Sequence, residues 1–124
     1  MNEQYVTLET AKLLKEKGFD ENCLYVYTKN EARHFIPNFH QSVTSYNLWQ
    51  CPTQQMACRW LREVKGIPTV IEVGWRAYND EPYYYALYAR FDNPDKVFPI
   101  QGDFADYQDC VEAAIKFILK NVIK

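Results

Sequence analysis

Apolar residues recur along this chain with two different periods, and the changes of period mark the elements. Between Pro52 and Gly66, Met56, Trp60 and Val64 return every fourth residue with Ala57 and Leu61 beside them, a stripe wide enough to bury against a sheet. Pro52 suits a first helical turn because its missing N–H has no partner there in any case, and Gly66 can take the left-handed conformation that ends a helix. The pattern predicts a helix over residues 52–65. Near the start, Thr7 is placed to cap a helix from Leu8 to Lys17, with Leu8, Ala11, Leu13 and Leu14 on its apolar face and Gly18 at its end. Asp106 is placed to cap a last helix reaching Val122. Val111, Ala114, Ile115, Ile118, Leu119 and Val122 form its stripe, and Lys116, Lys120 and Lys124 suit its negative end.

Elsewhere the period falls to two. Cys23-Leu24-Tyr25-Val26-Tyr27 predicts a strand with Leu24 and Val26 on one side and the two tyrosines on the other. Residues 29–33 read as a turn, Pro37-Asn38 breaks any helix, and Ser42 to Trp49 reads as a second strand. Thr69 to Tyr78 and Tyr83 to Phe91, joined through Asn79-Asp80-Glu81-Pro82, form the clearest hairpin, and residues 92–102 read as turn and loop. Matching the apolar faces sets Val73 opposite Ala89 and Trp75 opposite Leu87, with Glu72 opposite Arg90, Gly74 opposite Tyr88 and Tyr78 opposite Tyr84. The order α-β-β-α-β-β-α predicts a single α+β domain over residues 1–124, a two-layer arrangement with a mostly antiparallel four-stranded sheet and three helices on one face.

Length and charge narrow the partners. At 124 residues the chain supports one core, and with 14 basic against 16 acidic residues, net −2, no global field draws it to nucleic acid or an anionic membrane. Met1-Asn2-Glu3-Gln4 lacks the basic start and apolar core of a secretion signal. No apolar run approaches the roughly 18 residues of a spanning helix, which together predicts a cytoplasmic protein without a membrane partner. Four singly scattered cysteines, Cys23, Cys51, Cys58 and Cys110, read as small packed residues rather than a disulfide framework. The unusual quantity is aromatic, with ten tyrosines, seven phenylalanines and three tryptophans, and an excess of amphipathic rings points to half-buried surfaces that meet something.

The predicted sheet face turned away from the helices carries Tyr25, Tyr27, Glu72, Arg76, Tyr78, Tyr84, Tyr88 and Arg90, the residue types of an interface or a stacking platform. A solvated antiparallel face rich in tyrosine for its strand propensity is the plainer account. RNA-binding aromatic sheets sit in basic domains with a glycine-aromatic motif on a central strand, and this chain has neither. A second candidate is Arg59, Arg62 and Lys65 on the central helix, a possible phosphate site whose plainer account is a solvated helical face. His34, His40, Cys51 and Cys58 have metal-ligand identities, but five, ten and six residues intervene between them, unlike the close pairs of zinc sites, so no metal is expected. Cys51 at the predicted helix start is the one candidate nucleophile, with a histidine as base. No phosphate loop, nucleophile elbow or His-Glu-x-x-His signature occurs, and no cofactor is called for.

Three segments carry a resemblance: Tyr5 to Asp20, Pro52 to Gly66, and the closing helix with its Asp106-Tyr107-Gln108-Asp109 start and Ala113-Ala114 interior. Together they resemble a family of short uncharacterised proteins of gut Bacteroides-type bacteria and of their phages and mobile elements. The resemblance implies a protein of phage or mobile-element type and lends no activity or catalytic residue. With the aromatic excess it predicts a non-enzymatic accessory protein that binds a protein partner through the Tyr/Arg-rich face, including a second copy of itself as a dimer. The alternatives are a protein sequestering a nucleotide or other small phosphorylated molecule, and an enzyme using Cys51 or a histidine.

Overall fold

Side-chain caps start each helix in the computed structural model, which describes residues 4–28, 33–35, 48–78 and 80–123. Thr7 Oγ1 accepts from Thr10 N and opens α1 (Leu8–Glu16). The chain then forms β1 (Tyr25–Thr28), β2 (Arg33–Phe35) and β3 (Leu48–Cys51). Thr53 Oγ1 accepts from Met56 N at 3.1 Å and opens α2 (Gln54–Glu63). After α2 come β4 (Thr69–Trp75), β5 (Pro82–Arg90) and β6 (Asn93–Phe104). Asp106 Oδ1 accepts from Gln108 N at 2.9 Å and opens α3 (Tyr107–Asn121). Pro52 thus stands before the cap of α2 rather than in its first turn, and Gly18 and Gly66 take the positive φ expected just beyond α1 and α2.

The fold is α+β, but its strands make two antiparallel sheets instead of one of four. In the first, β1 runs between β2 and β3, with Tyr25 opposite both Phe35 and Cys51. In the second, β5 runs between β4 and β6. Of the strand expected over Ser42–Trp49, residues 42–47 lie outside the described residues, and Leu48-Trp49 opens β3, which pairs with β1 and not with the hairpin. The turn expected over 29–33 falls outside them except Arg33, which begins β2. The segment expected to be a loop after Asp92 is β6 through most of its length. Pro94, Pro99 and Gly102 mimic breaks in the sequence, yet proline is tolerated on an edge strand, where its missing N–H can face away from the ladder.

The hairpin register differs from the expected one by an odd number. Trp75 lies opposite Pro82, five residues earlier on β5 than Leu87, because the connection between the strands spans positions 76–81, with Arg76 N donating to Glu81 O and Asp80 at φ 54°. An odd shift exchanges the faces of β5. Ala86, opposite Ile71, is therefore buried under the helices, and Tyr84 and Tyr88 turn inward with it. Tyr84 meets Tyr107 of α3 edge-on and Tyr88 lies against Phe117.

The last helix is the centre of the molecule. It touches α1, α2 and all three strands of the second sheet, and buries Val111, Ala114, Ile115, Ile118 and Leu119. From α2 the buried residues are Gln54, Ala57, Trp60 and Leu61, with Trp60 edge-on to Phe19 at 5.4 Å. Val64, expected in that stripe, lies past the helix end and is exposed. Glu112 ties the three helix starts together. Its Oε2 accepts from Thr7 N, Thr7 Oγ1 and Thr10 Oγ1, and its Oε1 from Gln54 Nε2.

Candidate functional site

The predicted tyrosine and arginine set does not come together. Tyr25 and Tyr27 belong to the first sheet. Tyr27 is buried with its hydroxyl donating to Val6 O at 2.6 Å, and Tyr25 packs edge-on to Tyr5 at 5.0 Å, with the Arg33 guanidinium over both rings. Tyr84 and Tyr88 face α3, as their register requires. Arg90 forms a two-pronged ion pair with Asp92 at 3.1 and 3.2 Å, and Tyr78 stands in the hairpin turn, 81% exposed. Arg76 lies with its guanidinium 5.0 Å over the ring of Tyr83, a tyrosine outside the expected set.

A different tyrosine pair occupies the outward face of the second sheet. Tyr83 crosses Gly74, whose missing side chain makes room for it: a Cβ there would come within 2.4 Å of the ring. Tyr85 donates its hydroxyl to Glu72 Oε2 at 2.6 Å, which holds its ionisation above the usual range. Beside them, Val70, Leu87 and Pro99 stand opposite one another across the three strands, with Ala89 opposite Val97 in the next row. Val70 is 44% and Val97 58% exposed, while α3 packs on the other face. The signal that could have found this pair is the glycine. A ring covering Gly74 was expected, and the length of the turn selects Tyr83 for it rather than Tyr88.

The arginines of α2 mark a second feature, a groove of about 710 Å³ between α2 and β4. Met56, Cys58, Ile71 and Val111 give it apolar walls, Arg59 and Arg62 stand along the α2 side, and Tyr107 also lines it. Neither arginine is held strongly: Arg59 reaches the half-buried Glu21 at 3.4 Å and Arg62 reaches the exposed Glu63 at 3.7 Å. Lys65, the third member of the expected phosphate set, is elsewhere. Its Nζ sits 5.4 Å over the Trp60 ring, and it shares with Arg90 a shallow hollow that also contains Glu63 and Asp92.

The thiols are packed rather than poised. Cys51 ends β3, two residues before the Thr53 cap, and is buried with its Sγ against Val6 O. Burial raises its pKa, the opposite of what activation at a helix start requires. Burial likewise pushes Cys58 up to about 11 and Cys23 to about 12. His34 stands on β2 opposite Val26, and His40 lies outside the described residues. Among the described residues no three His, Cys, Asp or Glu side chains converge, and no helix is long and apolar enough to cross a membrane. No protein-family model, curated protein or solved structure matches this chain.

Proposed function

We propose that this is a non-enzymatic accessory protein that works by binding, with the outward face of the second sheet as its contact surface and a second copy of the chain as its first partner. The observation that carries the reading is the in-register row Val70, Leu87 and Pro99, an apolar line left open on a sheet whose other face is covered by α3. Tyr83 and Tyr85 stand beside it with the Glu72 and Arg76 groups, large rings with polar tips and partners, as at the edge of many interfaces. A two-fold pairing would lay the apolar row on its own copy, since an isologous contact uses one patch twice. The likeness of the helices to short proteins of Bacteroides-type bacteria and their phages supports an accessory role.

Light scattering coupled to size exclusion tests it. The parent chain is expected to run as a dimer at micromolar and higher concentrations, and Leu87→Glu, which sets two carboxylates against each other across the two-fold, is expected to run as a monomer with an unchanged circular dichroism spectrum. A parent that stays strictly monomeric overturns the reading.

A further inference from the structure

The groove between α2 and β4 has one wall made of a strand with an unused side. Among the described residues β4 pairs only with β5, and Pro68 O and Gly66 O accept from Ala89 N and Phe91 N in the same ladder. Antiparallel pairing alternates, so residues 70, 72 and 74 turn their backbone groups to β5 while Thr69, Ile71 and Val73 turn theirs to the open edge. Thr69 and Ile71 also line the groove, and Thr69 Oγ1 is buried there without a hydrogen-bond partner among the described residues.

The two edges of this sheet are treated differently. β6 carries Pro94, Lys96, Pro99 and two register irregularities, the usual devices that keep an edge from recruiting another strand. β4, Thr-Val-Ile-Glu-Val-Gly-Trp, has no proline, no lysine and no bulge. Facing that unguarded edge is a helix wall with Arg59 and Arg62, and the described residues lining the groove include no acid. Each arginine has a glutamate within reach, Glu21 and Glu63, but the guanidinium groups are the formal charges that the described lining presents to the groove.

We infer that the groove binds an extended acidic segment of another protein, which adds to the free edge of β4 as a further antiparallel or parallel strand and sets its carboxylates against Arg59 and Arg62. Main-chain bonds to Thr69, Ile71 and Val73 supply affinity, and the arginines supply selection. Both arginines exchange a long pairing, 3.4 and 3.7 Å, for the ligand's carboxylates, so little is lost on release. The groove lies beyond the outward-face row, and a monomeric protein would retain it unchanged.

The test is a titration of the ¹⁵N-labelled full chain with a synthetic octapeptide of alternating valine and glutamate. The amides of Thr69, Ile71 and Val73 are expected to shift and to exchange more slowly with solvent. The double substitution Arg59→Ala with Arg62→Ala, on an exposed helix face, is expected to weaken binding about tenfold or more with the remaining amide spectrum unchanged. Two further peptides carry N-methyl groups on all the valines or on all the glutamates; the one whose methyl groups fall on the amides facing β4 is expected not to bind and the other to bind, and a valine-lysine octapeptide is expected not to bind. Equal binding of both alternately N-methylated peptides overturns strand addition. Guanosine monophosphate producing the same arginine-dependent shifts while the peptide produces none assigns the groove to small phosphorylated molecules instead, and no shift at the β4 edge with the acidic peptide also removes the proposal.

Discussion

At the scale of single residues, Glu112 does more than any other polar side chain described. One carboxylate receives donors from the start of α1 and from α2 while riding on α3. Hydrogen bonds to a charged group contribute about 1.5–3 kcal/mol, so Glu112→Ala is expected to cost about 2–4 kcal/mol in a urea titration, with Thr10 and Gln54 left short of acceptors. Nothing in the letters around Glu112 distinguishes it from a solvated acid on a helix, because its partners lie far off in the chain and the bonds exist only after packing. The thiols set a pH dependence of definite sign. Burial raises Cys58 to about 11 and Cys23 to about 12, so the folded state holds these protons more tightly than an unfolded chain does. Their contribution is complete below the unfolded thiol pKa of about 8.5 and is lost as pH rises toward 11 and beyond. The urea midpoint is therefore expected to fall above pH 9, less steeply in Cys58→Ala.

At the scale of elements, local chemistry was legible and pairing was not. Thr7 and Asp106 could be recognised as caps because a cap is decided within three residues, and both open their helices where expected. The capping residue of α2 is Thr53, one place after the proline that drew attention to it. β6 was hidden because Pro94, Pro99 and Gly102 carry the same letters in a loop and on a sheet edge. The hairpin register failed by parity: both faces of β5 offer tyrosine and apolar residues, so side-chain matching could not choose, whereas the six-residue turn and the cover over Gly74 do. That cover can be measured. Gly74→Ala is expected to swing the end of the Tyr83 ring aside and release Arg76 from it, a loss of about 1 kcal/mol that disappears in a Tyr83→Ala background.

At the scale of the whole molecule, the two proposed contacts obey different physics. The outward row is apolar, and its self-association is expected to be nearly independent of salt. The groove selects by charge, and its affinity for acidic peptide is expected to fall when sodium chloride is raised past physiological strength, where the screening length is about 8 Å. Measuring both on one preparation separates them. The sequence made the arginines of α2 visible as a cluster but not the strand edge facing them, since an edge is a property of what fails to pair. The same long-range logic governs how the chain comes to exist. Thr7 waits for a carboxylate 105 positions further on, and at roughly 5–20 residues per second that part of the chain takes about 5–20 s to synthesise. Until then α1 can lie on β3, where Lys15 Nζ donates to Leu48 O at 2.9 Å, but it lacks the carboxylate that holds its start, so the helix layer is completed only when the final helix is made.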